Sequence, residues 1–412
     1  MNSAERAGLR PKGNVPTLRF PEFSGVWKKE RLKNNCTFFS GGTPSSTNKA
    51  YYDGDIPFIR SGEIASDSTE LFLSEPGLNN SSAKIVEEGD LLLALYGATS
   101  GQIAISKIKG AINQAILCIR SPYDNVFLKS AWEKRVDKIL QAYLQGGQGN
   151  LSAEIVKSLS FCFPTLKEQH KIGHLIALVE ERIATQIRII EDLKRERKYL
   201  LEQLFCLPNE REPKLRSKGM TGEWQKVRLC NIVNRVTERN KANICNRVLT
   251  IAAQYGLIDQ QEFFNKQIAS SDLTTYYLLH KGDFAYNKSY SGDYSWGAVK
   301  RLDKYDEGVL SSLYICFRPN ENVDSDFLCH YFESTKWYRG ISEISGEGAR
   351  NHGLLNMSVD DYFNTIHKIP SIEEQRQISS MLNTITQKIQ IEESILEKLQ
   401  KQRSYLLKEM FV

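Results

Sequence analysis

The sequence predicts an α/β (α+β) protein built twice, with two strand-rich globular bodies joined by two long helices that pair as an antiparallel coiled coil about a pseudo-twofold axis. Three observations carry that expectation. Residues 150–205 and 356–411 align at a single offset without a gap, through Asn150/Asn356, Ser152/Ser358, Pro164/Pro370, Glu168/Glu374, Gln169/Gln375, Ile172/Ile378, Ile183/Ile389, Arg197/Arg403, Tyr199/Tyr405, Leu200/Leu406, Leu201/Leu407 and Phe205/Phe411. An internal repeat of this kind settles the architecture before any element is placed. A second matched set lies upstream, with Pro16, Leu18, Arg19, Gly25, Trp27 and Leu32 answering to Pro213, Leu215, Arg216, Gly222, Trp224 and Leu229. Third, the apolar residues of both tails keep heptad spacing over nearly five heptads, which marks a coiled-coil seam.

Each half therefore reads as an opening signature, a variable body and a shared tail. The expected segments are a first body over 1–163 with a flexible leader at 1–15, a first helix over 164–206, a second body over 207–369 and a second helix over 370–412. Apolar runs between turn residues place strands at 56–60, 91–96, 102–106 and 115–120 in the first body, with turns at Gly41-Gly42, Asp53-Gly54 and Gly97. A helix is expected over 126–144. The second body repeats the order, with strands at 248–252, 284–286, 297–300 and 313–318 and a helix over 326–338. Pro164 and Pro370 end the strands that precede the long helices.

The seam runs through Ile172, Ile176, Val179, Ile183, Ile190, Leu193, Leu200 and Leu204 in one helix and Ile378, Leu382, Ile385, Ile389, Leu396, Leu399, Leu406 and Met410 in the other. It is interrupted at matched places by Gln186/Glu392 and Arg197/Arg403, and polar seam residues serve best as register devices. Facing Arg197 with Glu392 and Gln186 with Arg403 also pairs Ile183 with Leu406 and Leu193 with Leu396, which is the register expected. At 1.5 Å per residue each helix is roughly 57 Å long. The first delivers the chain to the second body through the polar linker 207–212, so the second must run back, and a dumbbell is the expected shape.

With 412 residues, 41% of them hydrophobic, the chain is long enough for two domains with cores of their own. Its apolar runs are far shorter than the roughly 20 residues of a membrane span, and its polar first 14 residues do not resemble a signal segment, so the cytoplasm is the expected compartment. Eight cysteines without a Cys-x-x-Cys point to reduced core thiols and to no metal site. His170 and His174 have ligand spacing, but their copies are Arg376 and Ser380. The net charge of +5 is spread thinly, whereas an independent DNA-binding domain usually carries a strong basic face. No phosphate-binding Gly-x-x-x-x-Gly-Lys and no Asn/Asp-Pro-Pro-aromatic element occurs, so no cofactor and no catalytic activity are expected.

Five loops, over 46–52, 96–102, 145–150, 287–296 and 347–352, combine hydrogen-bonding, basic and aromatic residues. Asn, Gln, Arg and Lys address base edges, while Ser, Thr and Tyr hydroxyls take phosphates. The candidate DNA-binding residues in and beside these loops are Lys49, Tyr51, Tyr52, Arg60, Tyr96, Thr99, Ser100, Gln102 and Gln148 in the first body. In the second they are Asn287, Lys288, Ser289, Tyr290, Tyr294, Trp296, Arg350, Asn351 and His352.

The repeat, the opening Leu-Arg-Phe-Pro-x-Phe-x-Gly-x-Trp of residues 18–27 and the Pro-x-x-x-Glu-Gln-x-x-Ile tails at Pro164 and Pro370 together resemble the specificity (S) subunit of type I restriction-modification systems, over essentially the whole chain. Residues 52–59, 89–99, 113–115, 286–290 and 348–353 are similar to segments of that family's target-recognition domains. The second opening lacks the Phe-Pro-x-Phe element. The resemblance implies that each body reads one half of a split double-stranded DNA target and that the coil sets the spacing. It implies too that two adenine methyltransferase (M) subunits dock on the coil, with restriction (R) subunits joining. The alternative is an orphan S subunit or coiled-coil scaffold that redirects or inhibits another modification system.

Overall fold

The computed structural model describes residues 13–143, 150–241, 243–252, 255–264, 272–289, 294–345 and 355–412. The chain divides into two compact units, residues 1–187 with 394–412, and residues 188–393.

In the first unit the central antiparallel sheet has the order Thr37–Ser40, Ile116–Arg120, Leu91–Ala94, Ile103–Ile105. Side chains alternate faces along a strand, and here the two faces feed two different cores. Leu91, Leu93, Leu117 and Ile119 join the cluster that contains Phe127, Leu128 and Trp132 of the helix Asn125–Glu133. Leu92, Ala94, Ile116 and Cys118 join Ile59, Val86 and Ile112 from a second sheet, whose order is Phe72–Leu73, Ile56–Ile59, Gly110–Ile112, Lys84–Val86. A strand covered on both faces reads as an unbroken apolar run, which is why residues 91–95 carry so strong a signal. The second unit repeats the device: Phe284, Tyr286, Ile315 and Phe317 face the helices, while Ala285 and Cys316 face the other way.

The repeated signposts form one structural frame, made twice. Arg19 Nε lies 2.7 Å from Glu168 Oε1, and Arg216 Nε 2.8 Å from Glu374 Oε1. The same guanidiniums donate to Gly25 O at 2.6 Å and Gly222 O at 2.7 Å. Both glycines sit at positive φ, 87° and 95°, where a side chain is strained. Gln169 and Gln375 accept from the Asp124 and Asp324 amides and donate to Pro164 O and Pro370 O. Ser152 and Ser358 cap the short helices Ala153–Ser158 and Val359–Asn364, as short hydroxyl side chains do. Gly89-Asp90 and Gly282-Asp283 present the carboxylates that hold Arg120 and Arg318 at 2.6 Å.

The long helices span Leu166–Gln203 and Ile372–Met410. In the first unit Ile172 and Ile176 share a core with Leu406, Leu407, Met410 and Phe411. In the second, Leu193, Leu200 and Leu204 share one with Ile378, Leu382, Ile385 and Ile389. There Lys194 meets Glu393 at 2.6 Å and Arg197 meets Thr386 at 2.9 Å, so the helices pack antiparallel. Phe411 packs on Phe127 with ring centroids 5.0 Å apart, and Phe205 on Phe327 at 5.3 Å. Each body is thus closed by the end of the other copy's helix.

The polar residues of the seam reach beyond the long helices. The Arg197 guanidinium bonds Thr386 and pairs with Glu333. Arg403 likewise bonds Glu180 at 2.9 Å and pairs with Glu133. The seam arginines are satisfied by carboxylates at the ends of the body helices Asn125–Glu133 and Ser325–Glu333, and pairing the two long helices alone leaves those carboxylates out. One expectation needs correction: the single helix expected over 126–144 is two, and the one expected over 326–338 ends at Glu333. After Glu133 the backbone tightens, with Arg135 N–H donating to Trp132 O at 2.8 Å, and Arg135 turns its guanidinium over the Phe161 ring at 4.7 Å. After Glu333 the extended Ser334 ends the helix, and Tyr338–Ile344 begins a new one.

Candidate nucleic-acid interface

Among the described candidates in the first body, two groups form on different sheets. Lys49, Tyr51 and Tyr52 lie on the single turn Lys49–Tyr52, capped by Asn48. Lys49 is exposed. Tyr52 is tied down, its hydroxyl donating to Pro44 O at 2.7 Å and its ring against Phe58 at 6.4 Å. Arg60 ends the neighbouring strand and is committed to Glu63 at 2.9 Å and Glu70 at 2.5 Å. Those bonds raise its pKa above the ordinary arginine range, while the bond from Arg60 first of all brings Glu63 down to about 2. Arg60 is therefore spent on holding residues 60–70 in shape, and Lys49 is the free cation of this group among its described members.

The second group is the turn between Leu91–Ala94 and Ile103–Ile105. Gly97 and Gly101 are at φ 85° and 84°. A Cβ on Gly101 would stand 2.9 Å from Val136 Cγ2, and Trp132 Nε1 donates to Gly101 O at 2.9 Å. Ser100 is turned inward, its hydroxyl donating to Leu95 O at 3.0 Å. On the same turn Gln102 is exposed and Thr99 half-buried, while Tyr96 packs part-buried against the core of this body. Burial raises the Tyr96 pKa, so its hydroxyl keeps its proton and remains a donor.

The second body builds the corresponding place at the end of Phe284–Asn287. Asn287 Oδ1 accepts from the Ser289 amide at 2.9 Å, and Trp296 O accepts from the buried Tyr286 hydroxyl at 2.9 Å. Tyr294 and Lys300 border a cavity of about 160 Å³ shared with Arg197, Glu333, Trp337 and Tyr338. In both bodies this turn meets the segment that precedes the Ser-capped helix: Leu151 N–H donates to Leu95 O at 2.7 Å, and Leu355 N–H to Lys288 O at 3.0 Å. Sequence-distant loops thus converge on one end of each central sheet. Gln148, Tyr290, Arg350, Asn351 and His352 lie outside the described residues.

Sequence reasoning missed Thr43 and Gln114. Both are exposed, and Thr43 Oγ1 donates to Gln114 Oε1 at 2.6 Å. The Asn113-Gln114 pair was the available signal. All eight cysteines are free thiols, and among the described residues no group of His, Cys, Asp and Glu could hold a metal ion. His170 is engaged by Asp124 at 2.8 Å. No described helix is long and apolar enough to cross a membrane.

Comparison with known proteins bears on this arrangement directly. Residues 25–195 match the type I restriction modification DNA specificity domain. Over 180 residues, 41% of either chain, the protein is 26% identical to the type I restriction enzyme MjaIX specificity subunit of Methanocaldococcus jannaschii. To the MjaVIII specificity subunit of the same organism it is 21% identical, over 95% of this chain and 92% of the other. Among solved structures, a type I restriction-modification S subunit from M. genitalium superposes with a TM-score of 0.59 at 15% identity, over 97% of this chain and 99% of that one. A chain from a structural study of complex assembly and conformational transition in the type I R-M system gives 0.53 at 16% identity, over 93% and 97%. The specificity-subunit fold, two strand-rich bodies with two packed long helices, is the one the repeat predicts.

Proposed function

We propose that this chain is the DNA sequence-recognition subunit of a type I restriction-modification complex, in which each body reads one half of a bipartite, asymmetric duplex target. One observation carries the reading: the frame recurs in the two units down to its arginine clamps, whereas the turns it presents differ in length and chemistry. A shared scaffold with divergent loops is what two readers of two sequences require. Thr99, Gln102, Tyr96 and Lys49 are the described first-body contacts, and Asn287, Lys288, Ser289, Tyr294 and Trp296 those of the second. The chain works in the cytoplasm and carries no catalytic group of its own.

Two adenine methyltransferase subunits dock on the helices, which set the gap between half-sites, and restriction subunits join that core. Tyr199 and Tyr405 support this. They are identical in the repeat yet 61% and 56% exposed, and an exposed aromatic kept in both copies suits an interface anchor. The bodies' small net charge adds a further reason, since partners must supply much of the phosphate neutralisation. The test is co-expression with an adenine methyltransferase subunit followed by mapping of methylated adenines. Two unlike half-sites at a fixed gap are expected, with no methylation or cleavage by the chain alone. A continuous motif, or methylation by the chain alone, would overturn the reading.

A further inference from the structure

Gln114 stands on a turn fixed from every side. Its neighbour Asn113 accepts from Ala115 N–H through Oδ1 at 3.0 Å and from Gly41 N–H through its carbonyl at 3.2 Å. Gly41 is packed so tightly that an added Cβ would lie 1.7 Å from Ile112 O. On the other flank Leu95 N–H donates to Ala115 O at 2.8 Å, which puts the turn beside Tyr96 and the converging loops. The Gln114 side chain is exposed, and its Oε1 accepts from Thr43 Oγ1 at 2.6 Å. In this arrangement the amide oxygen faces Thr43. One lone pair of Oε1 then remains to accept and both Nε2 protons to donate.

The second body keeps the turn and changes the residue. Ser311 takes the place of Asn113, with Oγ accepting from Leu313 N–H at 3.4 Å, and the exposed Ser312 takes the place of Gln114. A constant frame under a varied exposed side chain is the pattern of a specificity position and not of a structural one.

We infer that Gln114 reads an adenine in the half-site of the first body, with Thr43 as the positioning residue that holds its amide for the bidentate contact. Adenine offers N7 as acceptor and N6–H as donor on its major-groove edge, and a Gln amide matches both at once. The free Nε2 proton serves N7 and the remaining lone pair of Oε1 serves N6–H. Fixing the amide beforehand removes the rotamer entropy that a free glutamine loses on binding. The inference rests on the DNA-reading function proposed above.

The test is selection of random-sequence duplex DNA by the full chain, alone at low salt and with a co-expressed methyltransferase subunit. Gln114→Ala is expected to lower adenine discrimination at one position of one half-site by about one to two orders of magnitude, with the other half-site unchanged. Gln114→Glu is expected to move that position toward cytosine, whose N4 donates to a carboxylate. Thr43→Val should weaken the same position and Thr43→Ser should restore it, with thermal unfolding unaltered in both. If Gln114→Ala and Gln114→Glu both select the parent's sequence, the inference falls and the proposed function stands. If the parent selects no sequence in either half, both fall.

Discussion

Phe161 and His367 occupy matched positions of the repeat, and only the second titrates. Phe161 is buried beside Trp132, ring centroids 6.3 Å apart. His367 is equally buried, with Nδ1 2.8 Å from the Tyr331 hydroxyl and Nε2 2.8 Å from Thr365 Oγ1. Burial pushes its pKa from 6.5 down to about 4. The unfolded chain takes up the proton near 6.5, and the folded chain resists it until about 4. Its contribution to stability is therefore complete above pH 6.5 and lost as pH falls toward 4, up to roughly 3 kcal/mol at about 1.4 kcal/mol per pH unit. Urea unfolding should show a midpoint that drops between pH 7 and 5, and His367→Gln should flatten that drop. An unchanged slope in the variant would assign the proton to another group. Glu63, held at about 2 by Arg60, acts in a separate window: its stabilisation is present above about pH 4.5 and lost below it.

At the scale of the element, the two long helices show how far a repeat can be read from sequence. The heptads locate Leu166–Gln203 and Ile372–Met410 because the seam period is a local property. Register is not local. Arg197 and Arg403 interrupt the seam to meet Glu333 and Glu133, carboxylates that belong to the bodies and are more than 130 residues away along the chain. A double-mutant cycle on Arg197 and Glu333 is expected to give a coupling above about 1 kcal/mol, as groups in direct contact do. The cycle on Arg197 and Glu392 should give much less. Equal couplings would support the register drawn from the helices alone. The same contrast governs the strands. Leu91–Ala94, buried at all four positions, is legible as an apolar run. Lys28–Arg31 pairs with Ser160–Phe163, but its Lys-Lys-Glu-Arg sequence has no alternation to reveal it. The candidate site was legible as loops and not as contacts, since Ser100 and Arg60 look like ligand donors in sequence and are satisfied by Leu95 O, Glu63 and Glu70 in the fold.

At the scale of the whole molecule, one hydrogen bond recurs with a different covalent context. Leu215 N–H donates to Gln203 O at 3.0 Å, across the short linker that follows the first helix. Leu18 N–H donates to Glu409 O at 2.9 Å, where residues 18 and 409 are matched to 215 and 203 by the repeat and no short linker joins them. The frame around each is the same, with Arg216 on Glu374 and Arg19 on Glu168. The opening signature therefore docks on the end of the preceding copy's helix whether or not the chain is continuous there. Continuity adds only the loop-closure entropy of a short connection, a quantity that changes slowly with length. A permuted chain that begins within residues 208–211, with residue 412 joined to residue 14 by a copy of the linker 207–212, keeps the packed cores of both units. Its thermal midpoint is expected within a few degrees of the parent's, and it should select the same two half-sites from random duplex DNA. A permutant that folds but loses one half-site would show that the linker positions a reader as well as joining the copies, and one that fails to fold would show that the first unit depends on its own order of synthesis.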